Sequence, residues 1–125
     1  MKKIISSEQA PKAIGPYSQA VEANGTLYIS GQLPIDPATG QFVQGGIAEH
    51  TEQILNNIGN ILKAAGYNYS NVVKSTVFLV DLTSFKAMNE VYSKFYPTES
   101  PARSTVQVAA LPMGAQIEIE TIAVK

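Results

Sequence analysis

The hydrophobic and polar positions of this chain change period several times, and each change marks an element. Ala20 to Ala23 and Thr26 to Ser30 are short extended runs around Asn24-Gly25, a pair that accepts positive φ at both central positions of a type I′ turn. The first clear feature is therefore a β-hairpin. Gly31 to Gly46 gathers glycines and prolines around Asp36-Pro37-Ala38-Thr39-Gly40 and reads as a turn-rich loop skirting the sheet edge. From Ile47 onward, Ile54, Leu55, Ile58, Ile61, Leu62 and Ala65 recur at helical spacing, which predicts a long amphipathic helix stopped at Gly66. Asn71 to Val80 is β-branched and almost continuously apolar, as a strand covered by helices would be. Thr83 or Asp81 is placed to cap a second helix with the stripe Phe85, Met88, Val91, Tyr92 and Phe95, ended by Pro97. Ser104 to Ala109 and Ile117 to Val124 then alternate with period two, separated by Leu111-Pro112-Met113-Gly114.

The order β-β-α-β-α-β-β predicts a single α+β domain over residues 1–125. Right-handed crossovers would set both helices on one face of a mixed sheet and leave the other face bare. A bare face calls for cover, and a second copy of the chain is the simplest source. Composition narrows the chemistry. Nine basic residues against ten acidic ones give a net charge of -1, without the basic surface that a nucleic acid requires. There is no cysteine and one histidine, His50, near the start of a helix and expected to be exposed. Disulfides, thiolate chemistry and a histidine-rich metal site are therefore not expected. Met1-Lys2-Lys3-Ile4-Ile5-Ser6 has no apolar run long enough for a signal peptide or a membrane span, so the expected location is cytoplasmic and no membrane contact is expected.

Arg103 is the only arginine, and it follows Ser100-Pro101-Ala102. A guanidinium offers a planar fork that matches a carboxylate or phosphate with two parallel hydrogen bonds, which lysine cannot do. Glu118 and Glu120 alternate on the last strand and so share a face with Ile122 and Val124. Such a pair is either a solvated strip, a structural ion pair or a catalytic carboxylate set, and a spacing of roughly 7 Å does not separate these. If the last two strands formed a simple hairpin, Arg103 would lie roughly 20 Å from Glu118. A shared site then needs either an interposed strand or a second subunit. Tyr17, after Gly15-Pro16, is a pocket-lining ring or a partly buried core tyrosine. Ser30 and Gly31 end a strand where the backbone can approach a ligand closely. Asn89 interrupts an apolar helix stripe and holds either a loop or a ligand. Thr105 shares the Arg103 face and carries a hydroxyl.

Together, Ala10-Pro11-Lys12-Ala13-Ile14-Gly15-Pro16-Tyr17-Ser18-Gln19, Ser30-Gly31-Gln32, Pro101-Ala102-Arg103-Ser104 and Ile117-Glu118-Ile119-Glu120 resemble the RidA/YjgF family of reactive-intermediate imine and enamine deaminases. The resemblance runs nearly end to end, with Asn89 and Val77-Phe78-Leu79-Val80-Asp81-Leu82 also in place. It implies a chorismate-mutase-like fold, a homotrimer with pockets between subunits, and cofactor-independent, metal-free hydrolysis of 2-aminoacrylate, 2-iminobutanoate or 2-iminopropanoate to 2-oxo acids and ammonia. Such imines are released by pyridoxal-phosphate-dependent dehydratases. The family's carboxylate-binding arginine maps to Arg103, its water-orienting glutamate to Glu118, and its pocket positions to Tyr17, Ser30, Gly31 and Asn89. Thr105 stands where many members have cysteine. A non-catalytic sensor of 2-oxo acids would use Arg103 without needing Glu118. Ribonuclease or translation-inhibitor roles attributed to some members are poorly served by a chain with this charge.

Overall fold

A computed structural model describes all residues from Met1 to Lys125. The sheet is built from β1 (Lys3–Ile5), β2 (Ala20–Ala23), β3 (Thr26–Gln32), β6 (Val72–Leu79), β7 (Ala102–Gln107) and β8 (Ile117–Val124), in the spatial order β1-β2-β3-β8-β6-β7. Only β6 and β7 run parallel; every other neighbour is antiparallel. β4 (Ile35–Asp36) and β5 (Gln41–Phe42) form a separate two-stranded ribbon. Helices α1 (Ile47–Ala64) and α2 (Phe85–Phe95) pack on one side of the sheet. The α+β class, the mixed sheet and the one-sided helical layer agree with the sequence pattern. No helix is long and apolar enough to cross a membrane.

Local chemistry sets the element ends. Asn24 (φ 52°) and Gly25 (φ 75°) are both left-handed, so the β2–β3 turn has the primed geometry that matches strand twist. α1 ends in a Schellman motif: Gly66 adopts φ 82°, its N–H donates to the Lys63 carbonyl, and the Tyr67 N–H donates to the Leu62 carbonyl at 2.8 Å. Asp81, rather than Thr83, is the capping side chain. Its carboxylate accepts from the Thr83 N–H at 2.9 Å and starts a single 3-10 turn, Leu82–Ser84, that leads into α2.

Ile54, Leu55, Ile58, Ile61 and Leu62 of α1 meet Leu27, Val77, Leu79, Ile117 and Ile119 of the sheet and Met88 of α2, all buried. Burial of that apolar area is the main source of stability, at roughly 25 cal/mol per Å². The opposite face carries Tyr28, Val106, Val124 and Ile4, each more than two-fifths exposed, among Lys74, Thr76, Glu118 and Glu120.

Four sequence expectations change. β1 was absent from the predicted order; three residues show no period, and the strand exists because Ile4 and Ile5 pair with Val21 and Ala20. The Gly31–Gly46 stretch is not plain loop. Gly31 and Gln32 prolong β3, and Leu33 and Ile35 are buried with Ala115 in a second small core. β7 begins two residues earlier than its alternation suggests, because Ala102 already pairs with Lys74. His50 is buried, not exposed. Its Nε2 lies 3.0 Å from the Val43 carbonyl, and because a carbonyl only accepts, Nε2 carries the proton.

The folded-back loop is tied to α1 by one buried amide. Asn57 is fully buried, and its Nδ2 donates to the Ile35 carbonyl at 2.9 Å while its Oδ1 accepts from Gln53. Replacing it with alanine leaves a buried carbonyl unpaired, so Asn57→Ala is expected to cost about 2 kcal/mol in urea unfolding, with faster proteolysis inside residues 31–46. A cost below about 0.5 kcal/mol would show that the carbonyl finds another donor.

Candidate active site

The residues singled out in the sequence fall into two groups on opposite sides of the sheet. β6 is the interposed strand, pairing β7 on one edge and β8 on the other. Along β6, Ser75 lies opposite both Arg103 and Thr121, whereas Phe78 lies opposite Glu118. Paired residues share a face and successive residues alternate, so Ser75 and Phe78, three positions apart, point to opposite sides. Arg103 therefore faces the helical layer and Glu118 the bare side. Within one chain the interposed strand brings their registers together without bringing their side chains together.

The first group surrounds Glu118. A cavity of about 420 Å³ is lined by Tyr17, Ser30, Gly31, Gln32, Glu118 and Glu120, with an apolar flank that includes Ile14, Leu33 and Ile35. Gly31 is there because Glu118 lies against it: a Cβ at Gly31 would stand 2.8 Å from the Glu118 Cδ and closer still to Oε2. No other residue leaves that carboxylate its place. Burial, and then the charge of Glu120, raise the Glu118 pKa above the ordinary carboxylate value. The Tyr17 hydroxyl accepts from the Ile14 N–H at 3.2 Å, which curls the Ile14–Tyr17 segment and leaves the ring about half exposed at the cavity mouth. Ser30 is engaged structurally: its hydroxyl donates to the Ser18 carbonyl at 2.6 Å, while its N–H donates to the Gln19 carbonyl.

Gln19 is a member of this group that sequence reasoning did not assign. Buried at 6% exposure, it accepts from the Ser7 N–H at 2.6 Å and donates to the carbonyls of Pro11 and Ser7. It thus pins the segment leading to Tyr17 against the sheet. Its position in the motif was visible, but its bonding depends on where the N-terminal segment returns.

The second group surrounds Arg103. A cavity of about 460 Å³ is bounded by Asn89, Tyr92, Ser93, Tyr96, Ser100 and Arg103, and no acidic residue lines it. The guanidinium carbon sits 4.8 Å from the Tyr92 ring centre and 5.5 Å from that of Phe85. Neither ring was assigned a site role from sequence, where both read as helix core. Asn89 lines the cavity and is half-buried on α2. Thr105 shares the Arg103 face as expected but is not part of the cavity wall; its hydroxyl is buried without a partner, as are those of Ser75, Tyr92, Tyr96 and Thr121. Thr105 thus belongs to a buried run of hydroxyls rather than to the opening.

What the two groups can do is complementary. One offers an unneutralised forked cation, suited to a small carboxylate. The other offers a partly desolvated carboxylate beside an apolar wall, suited to holding water and moving its proton.

Comparison with known proteins places this geometry. The family described as Endoribonuclease L-PSP matches residues 7–125. The 2-iminobutanoate/2-iminopropanoate deaminase of Bos taurus is 57% identical over 125 residues, 100% of this chain and 91% of that protein. Reactive Intermediate Deaminase A, chloroplastic, of Arabidopsis thaliana is 56% identical over 122 residues, which is 98% of this chain but 65% of the longer plant protein. The crystal structure of E. coli TdcF with bound serine has a TM-score of 0.94 at 41% identity, covering 98% of each chain. Matched along nearly its whole length by the family model and more than half identical to curated relatives, the chain belongs to the Endoribonuclease L-PSP family, the family of the RidA deaminases.

Proposed function

We propose that this protein is a 2-iminobutanoate/2-iminopropanoate deaminase, hydrolysing reactive imine and enamine intermediates to 2-oxo acids and ammonia without a cofactor. The observation that carries the proposal is Arg103, a forked cation lining a cavity that holds no acid. The deaminase name borne by relatives more than half identical along the chain supports the same chemistry.

In this reaction Arg103 grips the substrate carboxylate through two parallel hydrogen bonds and fixes the imine carbon. Glu118 accepts a proton from a water as its oxygen bonds to that carbon, giving a carbinolamine. The same proton then passes to nitrogen, the C–N bond breaks and ammonia leaves, while Glu118, again ionised, takes the hydroxyl proton so that the oxygen becomes the new carbonyl. Positioning and one base suffice because a protonated imine is already electrophilic. Burial, and then the charge of Glu120, raise the Glu118 pKa, which makes its carboxylate a stronger base for the water proton.

A single copy cannot perform this reaction, since its acid-binding and water-binding groups face opposite sides of one sheet. We place the complete pocket between copies, with Arg103 and Asn89 from one and Tyr17, Ser30, Gly31 and Glu118 from the next. Two unlike patches that meet form a heterologous contact, which closes as a ring when the rotation between successive copies is a whole fraction of a turn. A homotrimer of chorismate-mutase-like protomers, packed through the bare sheet face, satisfies both requirements. A cytoplasmic location is part of the proposal, and cell fractionation tests it. RNA cleavage is disfavoured by Glu118 and Glu120, which would repel a phosphate backbone.

Coupled to a serine or threonine dehydratase, the parent protein is expected to speed imine disappearance, and Arg103→Ala to abolish the acceleration. Arg103→Lys, which keeps charge but loses the fork, is expected to lower kcat/KM about 10- to 100-fold. Parent-level activity in the lysine variant would remove the bidentate role.

Glu118→Gln separates an enzyme from a sensor. It is expected to keep 2-oxo acid binding while turnover falls roughly 10²- to 10⁴-fold. A parent that binds but never hydrolyses would be a sensor. The same variant carries a stability prediction. Because the folded chain holds the Glu118 proton more tightly than the unfolded chain, ionisation there costs stability; the cost is absent below the ordinary carboxylate range and complete once pH exceeds the raised folded value. Glu118→Gln should therefore melt above the parent at pH 7, the gap closing near about pH 4. A lower melting temperature at pH 7 would contradict this.

A further inference from the structure

Arg103 has an unusual setting for a buried-edge cation. No acidic residue lines its cavity, and the rings of Tyr92 and Phe85 lie 4.8 and 5.5 Å from the guanidinium carbon. A guanidinium has two chemically distinct surfaces. Its flat faces are weakly hydrated and settle on aromatic rings, whereas its N–H donors all lie in the plane and point outward from the edge. A carboxylate partner would hold the group by that edge and consume the donors a substrate needs. An aromatic partner holds it by the face and leaves the edge free.

Tyr92 is built for this work. It is 5% exposed, its ring lies 4.7 Å from that of Tyr96, and its hydroxyl end points toward that of Ser75, the residue opposite Arg103 on β6, without closing a hydrogen bond of normal geometry. The ring is thereby fixed by packing on the same strand register that fixes Arg103. Phe85, at the first turn of α2 and 39% exposed, adds the second and weaker contact.

We infer that Tyr92, assisted by Phe85, is a positioning residue that holds the Arg103 guanidinium by its face so that its edge stays free and oriented for the substrate carboxylate. The inference rests on the proposed role of Arg103 but not on the hydrolytic step. It implies that the rings act on affinity for the acid, through the arginine, and have little to do with proton transfer at Glu118. It also implies that the phenol ring matters and its hydroxyl does not.

The test is binding of 2-oxobutanoate by calorimetry, alongside steady-state kinetics on the dehydratase-generated imine, for Tyr92→Leu, Tyr92→Phe and Phe85→Leu. Tyr92→Leu is expected to weaken 2-oxobutanoate binding and raise KM about tenfold, with kcat changed by less than about threefold. Tyr92→Phe is expected to restore both to within about twofold of the parent. Phe85→Leu, at an exposed position that leaves the core intact, is expected to weaken binding about threefold. In an Arg103→Lys background, Tyr92→Leu should add little further loss, since a point charge has no face to hold. If Tyr92→Leu does not fold, the Phe85→Leu and Tyr92→Phe results decide. Parent-like binding in Phe85→Leu, or a Tyr92→Phe defect as large as that of Tyr92→Leu, would overturn the inference. A parent that binds 2-oxobutanoate but hydrolyses no imine would overturn the proposed reaction and leave the aromatic positioning of Arg103 standing.

Discussion

The period of a β-strand governs this molecule more than any single contact. Side chains alternate across a sheet, so once β6 pairs Ser75 with Arg103 and Phe78 with Glu118, the odd spacing along β6 sends the cation and the carboxylate to opposite sides. A one-residue slip of β8 would reunite them, but it would also turn Ile117, Ile119 and Ala123 out of the core. Core burial thus locks the Glu118 side of the separation, while β7, with no buried side chain, is held by its parallel pairing with β6. The two chemical halves are held apart within one chain by the pairing that folds it, and the proposed pocket between copies would rejoin them.

In the proposed reaction each half has a role that it cannot complete alone. Glu118 is pressed against Gly31 and shares its face with Glu120, so its charge is poorly solvated and its proton held more tightly than usual. Arg103 lies among rings and hydroxyls with no acid beside it. The bare face, which carries Tyr28, Val106 and Val124 as well as Glu118, is the apolar area that the proposed assembly would cover.

Much of the fold was legible from residue pattern alone. The Asn24-Gly25 turn, the α1 stripe with its Gly66 stop, and the alternation of Ile117–Val124 are local signals, and each element appears where its pattern lies. What escaped depends on distant neighbours. β1 is a strand because β2 is beside it, and the β4–β5 ribbon is ordered because Asn57 and the small core around Leu33 hold it. His50 is buried because that ribbon brings the Val43 carbonyl to it. The candidate site shows the same division. Arg103, Glu118, Tyr17, Gly31 and Asn89 stood out by residue type and motif, and all line one of the two cavities. Thr105 was placed on the correct face, but neighbouring packing decides that its hydroxyl is buried. Tyr92 and Phe85 looked like ordinary helix stripe, because nothing in the spacing of α2 reveals that an arginine on β7 will rest on them. Strand order, which no local pattern encodes, set both outcomes.

Mixing two inactive variants probes the shared pocket most directly. Arg103→Ala and Glu118→Ala, each unable to hydrolyse the imine alone, would be co-refolded in equal amounts so that mixed assemblies form. If each pocket takes its arginine from one copy and its glutamate from the next, about one pocket in four in a random mixture receives both intact residues, and about a quarter of the parent activity returns. No activity beyond that of the separate variants, in assemblies shown to be mixed, would contradict a pocket built between copies.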